Sequence, residues 1–163
     1  LIRGCVTNLW QGEETTILVC GIGAKMKVTI KGAYYGTKTL PSLNDYLAEQ
    51  GRHPKAGGKQ KNDYMWVCIG AIRKCLKSWK VTNPPIILKY DFYEPKDGHA
   101  RDIGNILGEA DKLFEDALQA CKVIGNDNPA WVIGIQGFYH QTDGEPYIEI
   151  EIIERGNNEL VSQ

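Results

Sequence analysis

Residues 102–127 read DIGNILGEADKLFEDALQACKVIGND. An aspartate opens the stretch, an apolar repeat runs through it, and Asn126-Asp127 closes it shortly before the β-prone run that begins at Trp131. Ile103, Ile106, Ala110, Leu113, Phe114, Ala117 and Leu118 recur at helical spacing, which predicts a helix from Asp102 to about Cys121 with one apolar stripe. At about 100° per residue, Asp102, Asn105, Glu109, Lys112 and Asp116 fall within an arc of roughly 80° on the side away from that stripe. Such a polar stripe has two readings, a solvated helix face or a site where acids at the two ends of a helix-plus-turn unit converge on a metal ion. Asp102 also has a structural role open to it, because an aspartate just before a helix is a good N-cap.

Working outward, Ile86 to Tyr93 (IILKYDFY) is a strand, and two more strands follow the helix, Trp131 to Tyr139 and Tyr147 to Ile153, joined by a turn at Thr142-Asp143-Gly144-Glu145. In the last strand Ile148, Ile150 and Ile152 alternate with Glu149 and Glu151, so its outer face is acidic. Upstream, Lys59 to Lys80 is expected to be a helix with Tyr64, Val67, Cys68, Ala71, Cys75 and Trp79 toward the core and Arg73, Lys74, Lys77 and Lys80 outside. Its basic end suits the helix macrodipole, and Asn83-Pro84-Pro85 terminates it. MKVTIKG, from Met26, alternates as a half-buried strand. The long connection after it carries a short helix capped by Ser42 and a basic, glycine-rich segment, Gln50 to Lys61, that reads as a flexible loop.

The order is β-α-β-α-β-β, an α/β (α+β) single domain in which helices pack on a mixed sheet. The domain is expected over residues 26–153. Residues 1–25 read as an N-terminal extension or as one extra edge strand at Thr16 to Gly21, and residues 154–163 as a tail. GIGAK at residues 21–25 lacks the full P-loop pattern and reads as a turn.

At 163 residues the chain is the size of one domain, and its 42% apolar and 24% charged content is that of a soluble globular protein. The net charge of -1 hides an asymmetry. From Gly51 to Lys80 eight Lys/Arg stand against one Asp, whereas from Val81 onward six Lys/Arg face fifteen Asp/Glu. A basic segment beside an acidic one suits a protein that holds a polyanion with one part and metal ions with the other; a solvated basic helix and an acidic strand edge give the same count.

Five cysteines, Cys5, Cys20, Cys68, Cys75 and Cys121, show no pairing pattern and read as buried free thiols in a reducing cytoplasm. No Cys/His spacing fits structural zinc, no signal peptide is apparent, and the apolar run Ile17 to Ala24 is too short to span a bilayer. His53 and His140 have no nucleophile partner at a recognisable spacing and read as surface or packing residues. Tyr34, Tyr35 and Tyr46 read as core or edge packing, with base stacking as the functional alternative.

Three pieces of the chain carry a resemblance. Asp102-x-x-Asn105, then Lys112-x-x-x-Asp116-Ala117-Leu118, then Asn126-Asp127 just before a strand, resemble the RusA family of Holliday-junction resolvases. LPSLNDY around Asn44 and the basic GKQK before a helix are similar to that family's start. The resemblance spans about residues 26–153. It implies a homodimer that acts on four-way branched DNA, each subunit cutting one of two opposed strands with Mg²⁺, for which Mn²⁺ can substitute. Residue by residue, it implies Asp102 and Asp127 as metal ligands, Asn105 and Asn126 as supporting groups, and Lys112 as the stabiliser of charge on the phosphate. Hard oxygen ligands suit Mg²⁺, and a metal that activates water is what phosphodiester hydrolysis needs.

The chain departs from the family's pattern in three places. Gly104 stands where the motif has a second aspartate, Asn126 replaces the first member of an Asp-Asp pair, and Lys112 sits about four residues later than usual. Glu109 is the candidate to replace the missing carboxylate. Arg52, Lys55, Lys59, Lys61, Arg73, Lys74, Lys77 and Asn44 are the expected DNA contacts. A protein that binds branched DNA without cutting it is the alternative from a different class, and an unrelated α/β protein with an acidic stripe is the third.

Overall fold

The computed structural model describes residues 22–53, 55–96 and 100–155. Seven elements follow one another: β1 (Ile22–Lys31), α1 (Leu43–Arg52), α2 (Ala56–Leu76), β2 (Ile86–Pro95), α3 (Ile103–Ala120), β3 (Val132–Thr142) and β4 (Tyr147–Arg155). They build a small α+β domain on one mixed sheet of order β1-β4-β2-β3. β4 lies antiparallel to both β1 and β2, while β2 and β3 are parallel. Parallel neighbours need a crossover, and α3 supplies it.

Alternation decides which face of the sheet is buried. Val28 and Ile30, Ile86, Leu88, Tyr90 and Phe92, and Ile148, Ile150 and Ile152 form one core with Cys68, Ile69, Ile72 and Leu76 of α2 and Ile106, Leu113, Phe114 and Leu118 of α3. The other face is covered by its own paired polar groups. Lys27 bonds Glu149 at 3.0 Å, Lys25 bonds Glu151 at 2.8 Å, and Lys89 bonds Asp91 at 2.8 Å. Tyr147, Tyr93 and His140 stack in a row at centroid spacings of 4.2 and 4.6 Å. His140 Nε2 lies 2.8 Å from Asp91 Oδ1. Although partial burial works against it, hydrogen bonds from Lys89 and His140 hold the Asp91 carboxyl below its ordinary value.

Among the described residues β3 is an edge strand of the sheet, with no strand on its far side. From Trp131 to Thr142 no residue is a Lys, Arg, Asp or Glu, and Ile133, Ile135 and Phe138 are exposed.

Several expectations change. The short helix is a full element of ten residues, so the order is β-α-α-β-α-β-β. Ser42 and Asp45 form a reciprocal capping box that fixes its start. Gln50 to Lys61 is consequently helix for most of its length, and Gly57 serves a close crossing, since a Cβ there would meet Gln50 Cγ at 2.7 Å. α2 ends at Leu76, where Lys77 takes a φ of 55° and donates its N–H to the Arg73 carbonyl. Its buried apolar side chains are Cys68, Ile69, Ile72 and Leu76, whereas Tyr64, Val67, Ala71 and Cys75, and Trp79 just beyond the helix, are only partly buried. The helix is turned from the expected stripe because it packs against α1, α3 and β1 at once.

Ile22 to Lys25 belongs to β1 and is strand, not turn. β4 runs to Arg155 and takes the first residues of the expected tail. The possible strand at Thr16 to Gly21, Cys5, Cys20 and residues 156–163 lie outside the described residues. Cys68 is buried, which pushes its thiol up to about 12, and Cys75 and Cys121 are free thiols with partial exposure. Among the described residues no helix is long and apolar enough to cross a membrane.

Candidate functional site: an ion-pair cluster on α3

The amphipathic pattern of α3 buries Leu113, Phe114, Ala117 and Leu118 and leaves Lys112 outside. Asp116 lies one turn on, so the two meet at 3.0 Å as an i,i+4 pair. The chain then reverses. Val123 and Ile124 are buried, the Val123 N–H donates to the Leu118 carbonyl, and Gly125 passes beneath the Trp131 ring. A Cβ at residue 125 would stand 2.6 Å from Trp131 Cζ2, so the close passage requires glycine. This return delivers Asp127 to Lys112, with Nζ 2.8 Å from Asp127 Oδ2. From α2, Lys61 Nζ reaches the other Asp116 oxygen at 2.6 Å.

Two carboxylates therefore face each other across one ammonium. Hydrogen bonds to Asp127 and Asp116 hold the Lys112 ammonium well above its ordinary value, and the bond from Lys112 holds the Asp127 carboxyl below its own. Around this pair lie carboxyls pushed the other way. Burial raises Glu109, which is buried in the preceding turn. Burial also raises Asp111, whose Oδ1 accepts from the Tyr90 hydroxyl at 2.9 Å. Glu115 is pushed up to about 7, first by burial and then by the Asp111 and Asp127 carboxylates. Carboxyl groups whose environments separate their proton affinities are the raw material of acid–base chemistry.

The remaining expected residues are distributed as follows. Asp102 caps α3, its Oδ1 accepting from the Gly104 N–H at 2.8 Å. α3 is an uninterrupted helix of 18 residues, so Asp102 stands about 15 Å along the axis from Lys112 and Asn105 about 10 Å. The carboxylates brought together are thus Asp116 and Asp127, whereas Asp102 does not join Asp127. Asn126 Oδ1 accepts from the Asp127 N–H at 2.8 Å. Among the described residues no three His, Cys, Asp or Glu converge as a metal cage. A pair of carboxylates on one cation still suits Mg²⁺, which keeps several waters and needs one or two protein carboxylates. Such an ion would stand where the Lys112 ammonium stands.

The start of α3 is held by a buried ion pair. Glu94, fully buried at the end of β2, accepts from Arg101 Nη2 at 2.6 Å, from the Thr39 hydroxyl at 2.6 Å and from the Thr39 N–H at 3.3 Å. Arg101 Nη1 also donates to the Leu40 carbonyl. One guanidinium thereby ties the residue before the cap to β2 and to the segment ahead of α1.

Of the expected DNA contacts, Lys55, Lys59, Arg73, Lys74 and Lys77 are exposed and have no ion-pair partner among the described residues. Arg52 pairs with Glu49 at 3.1 Å, Lys61 is engaged by Asp116, and Asn44 is exposed in the first turn of α1. A hollow of about 550 Å³ lined by Thr29, Lys31, Thr142, Glu145, Tyr147 and Glu149, among others, shares no residue with the cluster. Of the cluster's members, the sequence places Asp116 in the polar stripe and the resembling pattern but not among the metal ligands, counts Lys61 as a DNA contact, and does not single out Glu115. Asp116 was within reach, as the i,i+4 partner of Lys112 in Lys-x-x-x-Asp-Ala-Leu. The arrival of Lys61 from a second helix has no local signal. No protein-family model matches the chain, and a search of curated proteins returns no match, so the residue pattern and this geometry are the whole basis for a functional reading.

Proposed function

We propose that the protein is a Mg²⁺-dependent, RusA-like endonuclease that resolves four-way DNA junctions by paired strand cleavage. The observation that carries the reading is Lys112 held between Asp116 and Asp127, because it joins two separate pieces of the resembling pattern in one place. In this reading Asp116 and Asp127 hold the metal, with the Asn126 amide beside them. When bound, the ion activates a water and neutralises charge developing on the phosphate. Lys112, freed from its carboxylates, directs its ammonium at the scissile phosphate. Lys55, Lys59, Arg73, Lys74 and Lys77 contact flanking phosphates, which makes binding weaken steeply with salt. Asp102 keeps its capping role, and Arg52 and Lys61 contribute to DNA contact only after giving up Glu49 and Asp116, whereas Asn44 is exposed.

A homodimer matches the two-fold pseudo-symmetry of a junction. The uncharged β3 edge supports one, since self-pairing across a dyad brings no like charges together. The same reading places the protein in a reducing cytoplasm.

The test is purified protein incubated with a labelled synthetic four-way junction and Mg²⁺ or Mn²⁺, beside Asp127→Asn and Asp116→Asn. Paired nicks that both variants lose are the expected result. Nicking retained by both variants refutes the site. The second reading, branched-DNA binding without cleavage, is favoured by Gly104, Asn126 and the separation of Asp102 from the cluster. It predicts salt-sensitive binding with no nicks under any metal.

A further inference from the structure

The outer face of α2 sets an aromatic ring among cations. Lys59, Trp66, Gly70 and Arg73 fall within an arc of roughly 60° on an ideal helix, and all four are exposed. Lys77 and Lys74 follow at the same end, also exposed. Trp66 is 54% exposed, unusual for a residue that buries most of its surface on average. Lys59 and Arg73 stand two turns to either side of it, and Asp63 is the only acid on the helix.

Gly70 completes the arrangement. Helical side chains lean toward the N-terminus, so the side chain at residue 70 would lie over the turn that carries Trp66. There is none, and a Cβ at residue 70 would meet nothing within 4 Å. One flank of the indole is therefore open to a planar group, with cations on both sides of the opening.

We infer that Trp66 stacks an unpaired DNA base, while Lys59, Arg73 and Lys77 hold the neighbouring phosphates. The inference rests on the DNA reading above and adds a preference for single-stranded or branch-point nucleotides. A second copy of the chain is a poor occupant of this face, because it would bring the same cations together. A single-stranded polyanion complements both features, offering negative charge to the rim and a π-face to the ring. Stacking of this kind tolerates any base, which suits recognition of DNA shape over sequence.

The test compares a fluorescein-labelled oligo-dT strand, a four-way junction and a blunt duplex of matched length, titrated with the whole chain at low salt without divalent metal. Trp66→Ala is expected to weaken binding of the single strand and the junction about ten-fold while leaving the duplex within about two-fold. Trp66→Phe should recover most of the loss. Gly70→Leu should reproduce it with the indole and every charge in place, and leucine favours the helix over glycine, so the loss cannot be unfolding. Unchanged single-strand binding by both Trp66→Ala and Gly70→Leu overturns the inference while the DNA reading stands. Failure of the wild type to bind any of the three DNAs overturns both.

Discussion

Replacing Arg101 with methionine keeps much of the apolar stem of the side chain and removes the guanidinium that faces Glu94. Glu94 is fully buried and its Oε1 would retain only Thr39, while the Leu40 carbonyl would lose the donor that Arg101 supplies. Breaking a buried pair by deleting one partner typically costs about 3–5 kcal/mol, because the remaining charge has neither water nor counter-ion. For a domain of this size each kcal/mol moves the midpoint by about 3–4 °C, so Arg101→Met is expected to melt about 10–20 °C lower. Scanning calorimetry at pH 7 measures it directly. The double variant Arg101→Met/Glu94→Met removes the stranded charge and should recover at least about 1 kcal/mol of the loss. A single variant that melts within about 2 °C of the wild type would refute the view that this pair fastens α3 to β2.

Glu115 gives a pH prediction. Its folded-state pKa of about 7 lies above its ordinary value, so the native protein binds more protons between about pH 4.5 and 7 and stability falls as pH rises through that window. Glu115→Gln should flatten this slope and raise stability at pH 8 by about 1 kcal/mol once partial exposure is discounted, read from urea midpoints across pH. Gly125→Ala pushes a methyl into the Trp131 ring and should destabilise by about 1–3 kcal/mol, with a shift in tryptophan emission. Ile135→Lys places a charge on the apolar β3 edge, and it should convert the proposed dimer to monomer in light scattering while leaving the melting of the monomer within about 1 kcal/mol.

The α3 stretch was legible because each of its signals is local. Asp102 caps it, its apolar spacing sets the buried side, and the strand alternation after it fixes β4 in the same way. The mixed sheet and the α+β class followed from the order of such elements. What escaped was set by contacts between elements. The spacing around Tyr64 could not reveal that α2 has three neighbours and buries Ile69, Ile72 and Leu76 instead. Gly57 and Gly58 looked like a flexible loop, yet Gly57 is the small residue that lets α2 pass close to α1. In the ion-pair cluster, Lys112 and Asp127 belong to the resembling pattern, whose expected partner carboxylate is Asp102. The length of the unbroken helix holds Asp102 away from Lys112, and the carboxylate that meets Lys112 beside Asp127 is Asp116.

The strand order also governs when the sheet can assemble. Among the described residues β1 pairs only with β4, and β4 lies between β1 and β2, although it is the last of the seven elements. During synthesis, the residues of β1 leave the ribosome more than a hundred residues before their partner, and until then one side of β2 is open as well. The β2-α3-β3 unit, by contrast, can associate as soon as it emerges. Closure of the sheet is therefore a late, long-range step that carries a large loop entropy. A nascent chain halted before Tyr147 would present α3 and its ion pairs on an incomplete layer with β1 and one side of β2 unpaired, the kind of species that chaperones hold.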